Sequence, residues 1–180
     1  KDGSLYLLNK DDMGGYQSSS NHVQQVVPLG GSDANMHCQA AYYGGGSKEF
    51  VYVWSENDPL RAIPFDRAGN LLSVQSEVVS SVAGPVGQSG AILSVSSNGS
   101  QSGTGILWAS YAATGDAEHE VRPGILRAFD ANDVSKELWN NLQNSRDASG
   151  SYAKFAAPTI ANGHVYLPTF SNRVVAYGLR

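Results

Sequence analysis

Four copies of one short strand phrase recur along this 180-residue chain, and their spacing constrains the fold more than any other feature. Each copy is a hydrophobic run that closes on Asp, Asn or Gly. They read Ser4-Leu5-Tyr6-Leu7-Leu8-Asn9, Arg61-Ala62-Ile63-Pro64-Phe65-Asp66, Ile125-Leu126-Arg127-Ala128-Phe129-Asp130 and Arg173-Val174-Val175-Ala176-Tyr177-Gly178. The closing residues are 57, 64 and 48 positions apart. Self-similarity at this period marks an array of supersecondary units, none of which buries its apolar face alone.

Other runs of β-branched, aromatic and aliphatic residues fill the intervals. Ahead of the later copies stand residues 49–54, 105–110 and 164–169, and further upstream 37–42, 90–95 and 155–160. After the phrase come residues 22–27, 70–74 and 136–139. Asn98-Gly99, Asn162-Gly163, Ala68-Gly69 and Asp58-Pro59 supply turn chemistry between them. Four sequential strands per unit describe an antiparallel meander. A meander repeated at this period predicts an all-β fold, a β-propeller of four-stranded blades. The blade parts fall at 1–28, 36–79, 88–140 and 154–180 of a single propeller region, as three to four blades of a partial ring. A closed four-bladed ring is the alternative. Loops are expected at 43–48, 96–104 and 112–122, with a short helical turn possible at 112–122 and at 130–135. No window sustains helical apolar spacing over three turns.

Composition excludes several classes. Charged residues are only 16% of the chain and there are 20 glycines, which suits short strands and tight turns rather than long solvated helices. The net charge is −4 and no Lys/Arg cluster occurs, so the electrostatic footprint of nucleic-acid binding is missing. No apolar run has the length of a membrane helix. Cys38 is the single cysteine, which rules out an internal disulfide and a multi-cysteine zinc site.

The runs 1–9, 124–131 and 157–167, with Glu137-Leu138-Trp139, resemble the quinoprotein-like (PQQ-like) β-propeller repeat. The likeness is strongest over 122–180 and 1–10, and weak over 36–79, where Leu72-Ser73 replaces Leu-Trp. The resemblance implies seven or eight blades in a full ring and an exported protein, extracellular or in the cell envelope or periplasm. It also implies that this chain is the C-terminal part of a longer propeller, with Lys1 an internal or processed start. The partner is then the upstream part of the same propeller or another copy of the chain. Some family members are PQQ-dependent dehydrogenases; many others bind no quinone and act as scaffolds.

A quinoprotein dehydrogenase needs an Asp base, a Ca²⁺ site, a Trp platform and often a Cys-Cys pair, and no Cys-Cys occurs here. Trp54, Trp108 and Trp139 lie in or at the ends of strand runs and read as packing residues. Asp130-Ala131-Asn132-Asp133 has alternating oxygens but lacks the glycine and terminal Glu of an EF-hand loop, and reads as a turn. His22, His37, His119 and His164 share no metal-ligand spacing. His37 and Cys38 are adjacent, so on a regular strand they point to opposite faces; Met36 and Cys38 share a face, read as an apolar stripe. Glu118-His119-Glu120 reads as a solvated loop. Ser89 lacks the G-x-S-x-G frame, and Gly44-Gly45-Gly46 lacks the Lys-Ser/Thr of a phosphate loop. Asn98-Gly99-Ser100 fits the N-glycosylation pattern.

No catalytic or metal residue is therefore assigned, no cofactor is predicted, and cofactor-binding residues stay unassigned. The expected function is a non-enzymatic interaction or scaffold module, with a protein or glycan ligand on its loops. The alternatives are part of a PQQ-dependent oxidoreductase, with PQQ and Ca²⁺, and a carbohydrate-binding propeller.

Overall fold

The structure is a computed structural model that describes residues 2–16, 18, 22–29, 35–45 and 48–178. It is all-β, with four antiparallel sheets taken in chain order. The first pairs β1 (Ser4–Leu8) with β2 (Val23–Pro28). The second runs β3 (Ala41–Tyr43), β4 (Glu49–Val53), β5 (Arg61–Asp66), β6 (Leu71–Leu72), with β7 (Val78–Val79) also on β5. The third is the full meander β8 (Ile92–Ser96), β9 (Ile106–Ala112), β10 (Gly124–Asp130), β11 (Asp133–Asn140). The fourth is β12 (Thr159–Ala161), β13 (His164–Thr169), β14 (Arg173–Gly178).

The recurring phrase is the third strand of the second, third and fourth sheets and the first strand of the opening pair, and its alternation decides how the sheets stack. Successive strand residues point to opposite faces. Counting back from the closing residue, odd positions face the preceding sheet: Phe65 and Ile63 pack with Val27 and Leu29, Phe129 and Ile125 with Trp54 and Tyr52, Tyr177 with Leu126. Even positions face the following sheet: Leu5 and Leu7 meet the second sheet, Ala62 the third, Leu126 the fourth. The two middle sheets are thus apolar on both faces, and the sheets stack first to fourth. Faces without a neighbour remain at the two ends. Tyr6 and Leu8 in the first sheet and Val174 in the fourth are exposed.

The largest cluster lies between the second and third sheets. Trp54 is fully buried, with its ring 5.0 Å from Tyr111 and 5.6 Å from Phe129. Its indole N–H donates to the Asp58 carbonyl at 3.0 Å, so burial leaves no unpaired donor. Between the third and fourth sheets, Trp139 lies 6.4 Å from Trp108 and 5.5 Å from Tyr177. Three half-buried ion pairs flank these layers, Arg61 with Asp58 and with Glu77, and Arg127 with Glu137.

Several expected boundaries move. The first strands begin later than residues 37, 90 and 155, because the segments before them turn aside into other contacts. The fourth strand expected at 70–74 stops at Leu72. There the Gln25 side chain accepts from the Leu72 N–H at 2.7 Å and donates to its carbonyl at 2.9 Å. The chain then makes a single 3-10 turn (Val74–Ser76) before β7. The expected helical turns at 112–122 and 130–135 do not form. At 130–135, the Asp130 carboxylate accepts from the Asn132 N–H at 2.8 Å and closes a tight turn straight into β11. At 112–122, the Asp116 carboxylate is taken by the Gln88 and Glu118 backbone N–H groups, which fixes an irregular loop. Ser145–Asp147 makes a second 3-10 turn, capped by Asn144.

Truncating an apolar residue of the phrase should cost far more inside the stack than on its open face. Phe129→Ala is expected to lose about 3–5 kcal/mol of unfolding free energy, and Val174→Ala less than about 0.5 kcal/mol. Urea denaturation of the two variants reads the difference directly.

Candidate functional site

In an antiparallel meander the chain enters the first strand, and links the second to the third, at the same end of the sheet. That end gathers residues 35–40, 54–60, 80–91, 113–123 and 150–158, and β8 lies between β3 and β12 there. The polar side chains singled out from the sequence divide between this end and the opposite one.

His37 and Cys38 are not on a strand: they sit in the bend before β3. The alternation argument that set them on opposite faces therefore does not apply. His37 Nδ1 donates to Glu56 Oε1 at 2.6 Å, and both side chains are largely buried. The Cys38 thiol donates to the Trp54 carbonyl at 3.4 Å. That carbonyl also receives the Ala91 N–H, and Gly90 packs so close to it that a Cβ would stand 2.7 Å away. Burial pushes the Cys38 thiol up to about 11, so it is held as a neutral thiol at pH 7. Met36 parts from Cys38 and packs with the cluster between the first and second sheets. Two buried oxygens, Oδ1 of Asn35 just before His37 and Oγ of Ser55 beside Glu56, have no hydrogen-bond partner.

Ser89 is buried, and its hydroxyl shares a 2.9 Å hydrogen bond with the Tyr152 hydroxyl. Burial raises the Tyr152 phenol above its usual range, so it too stays neutral. Around this pair three loops are braced together. Asp116 accepts the Gln88 N–H at 2.9 Å. Lys154 Nζ donates to the Glu118 carbonyl at 2.7 Å and to Gln88 Oε1 at 3.5 Å. Tyr152 N–H donates to the Arg122 carbonyl at 2.8 Å. On this frame Val86, Val121 and Phe155 are exposed, and Phe155 is held at φ +63°, a conformation bulky residues rarely adopt. Gln88, Tyr152, Lys154 and Phe155 were not distinguished in the sequence. A lysine beside an aromatic residue carries no motif, and their meeting with Gln88 spans some 66 positions of chain.

Elsewhere the singled-out residues have structural partners. Asp130, Asn132 and Asp133 form the β10–β11 turn, with Asp133 also paired to Lys136 at 3.0 Å. His22 meets Asp12, His164 meets the Asn162 carbonyl, and His119 is exposed beside Glu118. The three tryptophans lie between sheets. Asn98 is in the exposed β8–β9 loop, its amide donating to Gln101 at 2.8 Å and its N–H to Thr104 at 3.0 Å. Gly44 and Gly45 stand against the Tyr42 and Tyr43 rings, and Gly46 lies outside the described residues. At the other end a shallow cleft of ≈ 410 Å³ is lined by Glu49 and Arg67, which pair with each other at 2.7 Å. Among the described residues no group of three or more His, Cys, Asp or Glu side chains is arranged to hold a metal ion.

The Cys38 environment gives a direct test. Its folded thiol is raised above the ordinary 9.0, so its contribution to stability is complete below pH 9 and is lost as pH rises toward 11. Native protein at pH 8 should react with a thiol-specific disulfide reagent at least about tenfold more slowly than urea-unfolded protein. Equal rates would show the thiol to be accessible and ionisable. Comparison of the chain with family models, curated proteins and solved structures finds no match.

Proposed function

We propose that the chain is part of a β-propeller of the quinoprotein-like repeat type and acts as a non-catalytic binding module in an exported protein. Its ligand-facing surface is the braced loop end at Gln88, Asp116 and Lys154. The observation that carries this reading is the bracing itself. Three loops from different parts of the chain are locked by hydrogen bonds while apolar side chains remain presented to solvent. Preorganised loops on a rigid sheet scaffold lose little entropy on binding. The groups that a quinone site would draw on have other roles in this chain: the tryptophans pack between sheets, and Cys38 is a buried neutral thiol.

The face rule supports the propeller part of the reading. The order is the same at each of the three junctions, and the first strands β3, β8 and β12 lie side by side, as they do around a ring axis. The open faces at Tyr6, Leu8 and Val174 support a partial ring over closure of these four sheets on themselves, which would bury them. Such faces are covered by further sheets of the same kind, from upstream sequence or from another copy.

Two measurements test the proposal. Purified protein supplied with PQQ, Ca²⁺ and a panel of primary alcohols and aldoses as electron donors is expected to reduce no electron-accepting dye; substrate-dependent dye reduction abolished by a chelator would make it an oxidoreductase. The isolated chain is also expected to self-associate with rising concentration in sedimentation velocity, and Val174→Lys to shift it toward monomer. A chain that stays monomeric throughout removes the second copy as a partner.

A further inference from the structure

Among the described residues Lys154 is the half-buried cation with no carboxylate in ion-pair range. Among the described residues the other partly buried cationic side chains, Arg61, Arg122 and Arg127, each form an ion pair. Lys154 is held instead by two neutral oxygens, the Glu118 carbonyl and the Gln88 amide. In that loop frame Asp116 Oδ1 accepts the backbone N–H groups of Gln88 and Glu118, and Glu120 pairs with Arg122. An ammonium carries three donors, and two are used here. A positive charge fixed by neutral acceptors, with one donor to spare, is a site for an anion.

The surroundings narrow the anion. Phe155 follows in the chain, with its ring exposed and its backbone held in the left-handed region. Val86 and Val121 are exposed on the two loops that Lys154 ties together. Apolar and aromatic surface beside a single fixed cation suits a small organic acid better than a strongly hydrated inorganic ion.

We propose that this loop end binds a small carboxylate-bearing ligand, with the carboxylate on Lys154 Nζ and the body of the ligand against Phe155. The inference rests on the reading of this end as the ligand-facing surface and names the ligand class for it.

Titration calorimetry with D-glucuronate, acetate and D-glucose tests it. Glucuronate is expected to bind saturably and at least about tenfold more tightly than glucose, the same ring without the charge. Its affinity should fall as salt is raised. Acetate separates the charge from the body: binding weaker than that of glucuronate is expected, and Phe155→Ala should bring the two together. Lys154→Met is expected to lose about tenfold or more in affinity, and Lys154→Arg to keep part of it. Where Lys154→Met fails to fold, the salt series and the glucose comparison on the unaltered chain decide. Equal affinity for glucuronate and glucose, no saturable binding of either acid, or salt-independent binding overturns the proposal. Such a result without dye reduction leaves the non-catalytic reading standing. Dye reduction removes that reading whatever the carboxylates do.

Discussion

The contact on which the rest of this protein depends is the buried layer between its second and third sheets. Trp54, Tyr111 and Phe129 come from two sheets and meet at ring separations of 5–6 Å, with Tyr52, Leu93 and Leu107 filling around them. Each such side chain contributes roughly 1.5–3 kcal/mol when removed from water. The layer works because both middle sheets are apolar on both faces, so each is committed to two neighbours at once. A sheet with one solvated face could turn to water; these cannot. The stacking order is therefore imposed by alternation along each strand. The described loops at the ends run from strands fixed in this order.

That rigidity is what gives the loop end its character. Residues 113–123 link β9 to β10, and Ser151 and Tyr152 bridge to Pro123 and Thr169, so both loops are set by the strands beside them. The polar contacts between them close over a few ångströms: Gln88 to Asp116, Lys154 to Glu118, Ser89 to Tyr152. Buried hydroxyls and a neutral thiol lie beneath, and exposed apolar side chains above. Burial raises both the Cys38 thiol and the Tyr152 phenol, so the layer beneath the loops stays uncharged well above pH 7.

Much of the fold was legible. The strands β4, β5, β13 and β14 lie where alternation and β-branched content put them, since period two reports directly on a face that must be buried. The failures occur where a side chain substitutes for the backbone. Gln25 bonding Leu72 ends β6 early, and the buried Asn141 accepts from the Leu126 N–H at 3.0 Å while its own N–H donates back to the Leu126 carbonyl at 3.1 Å. Neither residue has a local signature, because the partner lies 47 positions away in one case and 15 in the other. The same limit hid the loop site. His37 and Cys38 were weighed as strand residues, and only the observed bend brings them to Glu56 and Trp54. Lys154 is distinctive only through its contacts with the Glu118 carbonyl and the Gln88 amide, 36 and 66 positions away.

The Gln25 amide has one further consequence. Leu72 belongs to the short outer strand of the second sheet, the place where an all-β protein is most exposed to pairing with a stranger. By occupying both the N–H and the carbonyl of Leu72, a single side chain presents to that margin what a neighbouring strand would have offered. At Leu72 the pairing positions of that margin are thereby filled without the length of chain that another strand requires.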